Sequence, residues 1–164
     1  LTMFHDIKKV LHERLYSLGL LHNWYIPSED ISFAPTQQEI QSPLDEVNLW
    51  LRGNIIFGDG ANKGIHIENL RGIFQVDIFR RRNELYVEDS YKVADFILRE
   101  FPSGLLIELS PDLLMSGPTC LRVTKTGYLS PLRYENVWVV LSISIPFELL
   151  LSEEVLKSMN KLQN

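Results

Sequence analysis

The chain has 164 residues, 45% hydrophobic and 23% charged, the composition of an ordinary globular protein. That length suffices for one domain hiding roughly 70% of its unfolded surface. The formal net charge of −5 argues against nucleic-acid binding by bulk electrostatics, and one cysteine, Cys120, leaves no pair for an internal disulfide.

A single cysteine also fits a reducing compartment. No apolar run reaches the ~18 residues needed to cross a bilayer, so no membrane partner is expected. Phe4, Ile7, Leu11, Leu15 and Leu18 recur at helical spacing, with His5, Lys8, Lys9, Glu13 and Arg14 mostly off that stripe. The interruption by His5, Asp6, Lys8 and Lys9 makes this stretch a helix rather than a signal peptide. Gly19 stands where the helix could end. Pro27, Pro35 and Pro43 then forbid long regular structure between Asn23 and Pro43.

Val47, Leu49 and Leu51 alternate with Asn48, Trp50 and Arg52, which predicts a strand. Four glycines at 53, 58, 60 and 64 follow, around polar tips. They predict a long β-hairpin arm over residues 53–69, between this strand and the next. Gly58–Gly64 imitates a phosphate-binding loop. It lacks the helix N-terminus that such a loop needs, since Ile65-His66-Ile67 continues as strand.

The stretch Leu70–Phe101 organises the fold. Phe74, Val76 and Ile78 point to one side of a strand, and Gln75 and Asp77 to the other, beside Ile73 and Phe79. Arg80, Arg81, Arg82, Asn83 and Glu84 read as a charged turn. Asp89 or Ser90 can cap the helix that follows. Its predicted stripe is Val87, Tyr91, Ala94, Leu98 and Phe101, and Pro102 and Gly104 stop it.

Leu105–Ile107 and Cys120–Thr126 read as further strands, with Gly127–Glu135 as a connection. Val137, Val139, Leu141, Ile143, Ile145 and Phe147 line one face of a long closing strand, with Trp138, Ser142 and Ser144 opposite. The fold class expected is α+β, a mixed or antiparallel sheet with helices packed on one face and a hairpin arm. Residues 1–150 form the single domain; 151–164 form a polar, helical tail capped by Ser152.

No pattern carries catalysis, a cofactor or a metal. His5, His12, His22 and His66 share no ligand spacing, and Cys120 has no histidine near it in sequence. Asp77 and Glu108 could form an acid–base pair only if they meet; a lone carboxylate on the outer face of a sheet is otherwise expected to be solvated. If helices cover one face alone, Trp50, Ile73, Phe79, Trp138 and Val140 are left exposed on the other, the mark of an interface. A second covering element would hide them instead. Candidate interface residues are Trp50, Ile55, Ile56, Phe57, Ile65, Ile67, Phe79 and Trp138. Arg80, Arg81 and Arg82 are either a solvated turn or a contact, with an acidic neighbour subunit or with DNA passing nearby; the overall acidic charge suits the acidic neighbour better.

Several segments in order resemble a phage family. They are Asn23-Trp24 after the early helix, Arg71-Gly72-Ile73-Phe74-Gln75-Val76-Asp77, Ala94-Asp95 with Phe101-Pro102-x-Gly104, and Val137-Trp138-Val139 running to Ile143-x-Ile145-Pro146-Phe147. Together they look like the lambda-type tail-terminator superfamily of long-tailed bacteriophages and prophages, over residues 3–148. The polar extension after Leu151 and the long Leu105–Pro118 stretch depart from common members. The resemblance implies a virion protein of the tail and neck region, met in host cytoplasm during assembly. Such proteins form a homohexameric ring on the finished tail tube. They stop its polymerisation and offer a joining surface to a head-completion or connector protein, with DNA only as passing cargo. A head-completion or neck connector of the same fold, or a non-viral α+β binding domain, are the other readings.

Overall fold

A computed structural model of the chain describes residues 3–27, 47–58, 70–82, 88–109 and 120–150. Two helices, α1 (Met3–His22) and α2 (Ser90–Glu100), accompany strands β1 (Leu49–Phe57), β2 (Arg71–Arg81), β3 (Leu106–Glu108), β4 (Cys120–Val123), β5 (Tyr128–Leu129), β6 (Arg133–Glu135) and β7 (Trp138–Leu150). The strands make one antiparallel sheet in the order β1-β2-β7-β4-β3, with β5 and β6 also paired to β7. The fold is α+β.

β7 is the spine. Along one side it pairs with the whole of β2, Arg71 opposite Glu148 through Arg81 opposite Trp138. Along the other it takes β6, β5 and β4 in turn. The expected connection at Gly127–Glu135 therefore carries two short strands. Asn136, with φ of 54°, adopts a left-handed backbone that reverses the chain between Glu135 and Trp138. Val137 belongs to that turn and is exposed, so the strand's buried face starts at Leu141 and runs through Ile143, Ile145, Phe147 and Leu149.

Both helices contribute to one core on one side of the sheet. Ile7, Leu11, Leu15 and Leu18 of α1 join Phe74, Val76 and Ile78 of β2 in it, as the spacing predicts. Gly19 does not end α1. The stop comes at Asn23, whose φ of 59° lets the Trp24 N–H donate back to the Gly19 carbonyl at 2.8 Å. A Cβ on Gly19 would lie 2.5 Å from Ile26 Cδ1, so the glycine serves the returning chain instead.

On α2, Asp89 is the cap, accepting the Tyr91 N–H at 2.9 Å. The buried stripe is Val93, Ala94 and Ile97, with Phe101 beyond; Ala94 and Phe101 face the core as expected and Leu98 packs half-buried against it, but Tyr91 is exposed. The two registers overlap in sequence. Rotation toward Val93 and Ile97 leaves the Tyr91 hydroxyl in water, where it needs no buried partner. Val87, the expected turn at 83–84, the arm tip at 59–69 and the C-terminal tail lie outside the described residues.

Candidate assembly surface

Register places Trp50, Arg52, Asn54 and Ile56 of β1 on the sheet face away from the helices. Ile73, Gln75, Asp77, Phe79 and Arg81 of β2 share that face, as do Trp138, Val140, Ser142, Ser144, Pro146 and Glu148 of β7.

One end of this face is apolar and covered. Trp50 stacks on Phe79 with ring centroids 3.9 Å apart and planes 11° from parallel. Trp138 stands edge-on to both, at 6.2 and 6.5 Å. Trp50 is fully buried, Phe79 and Trp138 nearly so, and Val140 completes the cluster. The exposed apolar face expected at these residues is therefore a second, smaller core. Cations cover part of it: the Arg52 guanidinium lies 5.0 Å from the Phe79 ring centre and that of Arg81 4.7 Å from Trp138.

Beside this core sits a buried carboxylate. Asp77 keeps 1% of its surface exposed, although a carboxylate in this place reads from sequence as solvated. Its Oδ1 accepts the Ser142 hydroxyl at 2.5 Å and the Gln75 amide at 3.0 Å. Its Oδ2 accepts Arg52 Nη2 at 2.9 Å and Nε at 3.3 Å. Arg133 reaches Oδ1 at 3.7 Å, donates to Ser142 Oγ at 2.6 Å and also holds Glu135 at 3.1 Å. Two guanidiniums and two neutral donors thus offset the desolvation of one carboxylate. The network ties β1, β2, β6 and β7 into one register.

Asp77 does not meet Glu108. Asp77 lies opposite Ser142, whereas Glu108 lies opposite Cys120 and through it Leu150. Eight residues along β7 is about 26 Å at 3.3 Å per residue. No group of three metal-ligating side chains occurs among the described residues.

The arginine run is not a turn through its whole length. Arg80 and Arg81 are the last residues of β2, opposite Leu49 and Val139 for the first and Trp138 for the second. Arg81 donates to the Asn48 side chain and the Val47 carbonyl, both at 3.2 Å. Arg82 donates to the Asn136 carbonyl at 3.4 Å and lies 4.8 Å from the Tyr134 ring centre. All three serve the end of the sheet where β1, β2 and β7 meet.

Of the expected arm contacts, Ile55 and Phe57 point to the helix side and are half-buried against the main core. Phe57 packs edge-on against Phe4 at 4.9 Å. Ile56 remains 46% exposed, opposite Ile73. Ile65 and Ile67 lie outside the described residues. Farther along the outer face, Glu148 pairs with both Arg122 and Arg71. Sequence reasoning missed the partners of Asp77, because they arrive from strands as far as 65 residues away.

Cys120 is buried. Burial pushes its thiol above the usual range, and the carboxylate of Glu108 adds to the effect.

No family model matches the chain and no curated protein matches it. A solved structure is similar over 89% of this chain and 94% of its own length, with a TM-score of 0.61 at 16% identity. At that identity the likeness speaks for the fold alone.

Proposed function

We propose that this chain is a tail-terminator-like structural protein of a phage or prophage. It forms a ring at the head-proximal end of the tail tube, ends tube polymerisation and presents the surface to which the head joins. The supporting observation is the pairing of the two segments that carry the resemblance most clearly. Arg71–Asp77 lies within β2 and Trp138–Phe147 within β7, neighbours along an eleven-residue ladder.

Mechanism is then assembly. A ring closes through a heterologous contact, in which each copy offers two different surfaces. Bound to the last tube ring, it withholds the surface that the next tube subunit needs. The ordered interior suits this role: two cores and a buried ion network hold one rigid sheet. Among the described residues no helix is long and apolar enough to cross a membrane, and no cofactor or metal is invoked. A head-completion or neck connector remains the second reading, because that role uses the same fold and ring.

Co-sedimentation tests the proposal. The chain is mixed with preformed tubes of a phage tail tube protein. It should pellet at a fixed small number of copies per tube, whatever the tube length. Pelleting in proportion to tube length, or none, would contradict it.

A further inference from the structure

We draw no further inference here: the strongest candidate, the cleft of about 600 Å³ lined by Arg71, Arg122, Lys125 and Glu148 where β2, β7 and β4 lie side by side, carries nothing, because Glu148 stands between the two arginines, pairs with both and so fills the place an anion would take, which leaves a single exposed lysine.

Discussion

The Ser142 hydroxyl donates to Asp77 at 2.5 Å across the middle of the sheet, on the face turned away from both helices. That bond belongs to a buried carboxylate whose other oxygen is held by Arg52. Removing the carboxylate takes their acceptor from Arg52, the Ser142 hydroxyl and the Gln75 amide, while Arg133 keeps Glu135. Asp77→Ala should lower unfolding free energy by about 3 kcal/mol, the low end for a broken buried pair. The low end applies because Arg52 and Arg133 keep 28% and 39% of their side-chain surface exposed. Urea unfolding checks it, with the slope unchanged. Asp77→Asn should cost less, since the amide oxygen still accepts.

Trp50 and Trp138 separate an internal core from an open interface. As core residues, each should cost about 3–5 kcal/mol on truncation to Ala in the isolated chain. An exposed interface residue would leave the monomer's stability nearly unchanged. Thermal melts of Trp50→Ala at a concentration where the chain is monomeric distinguish the two.

Gly53 is needed where α1 meets β1. A Cβ there would lie 2.9 Å from both His12 Nε2 and Phe74 Cε1. Those rings themselves pack edge to face at 5.3 Å, and His12 Nδ1 faces the Lys8 carbonyl at 2.8 Å. Gly53→Ala should therefore destabilise by about 1–3 kcal/mol through overpacking. Gly53→Ala with His12→Ala should recover part of the loss, read in the same denaturant series.

Cys120 should be slow to alkylate. With the folded thiol pushed upward by burial and by Glu108, thiolate is scarce near neutral pH. Iodoacetamide should react at least about tenfold slower with the native chain than with the chain in denaturant. The stability consequence has a definite sign. The unfolded thiol ionises first, so stability is constant below the ordinary thiol pKa and falls as pH rises toward the folded value. Cys120→Ala should flatten that alkaline decline.

Much of the fold was legible because two periodicities are strong here. Ile7, Leu11 and Leu15 repeat as a helix, and Phe74, Val76 and Ile78 as a strand with one apolar side. The second helix's rotation was not legible, since Tyr91 and Leu98 repeat as regularly as Val93 and Ile97. Choosing between them needs the fate of the tyrosine hydroxyl. The small strands β5 and β6 were hidden because two or three residues carry no period of their own. The face bearing Trp50, Phe79 and Trp138 was found, but not its burial. Its coverage depends on Arg52 and Arg81, residues that sequence alone assigns to solvent. For the same reason Asp77 read as solvated. A buried carboxylate and a surface one differ only in partners, and Ser142 and Arg133 come from far along the chain.

The most direct test of the terminator reading is tube length. Tail tube protein is polymerised with and without this chain, and tubes are measured in negative-stain images. The reading predicts tubes that stop growing when the chain is added, each with a six-fold ring at one end. Tubes that grow equally long with the chain present, with bare ends, would contradict it.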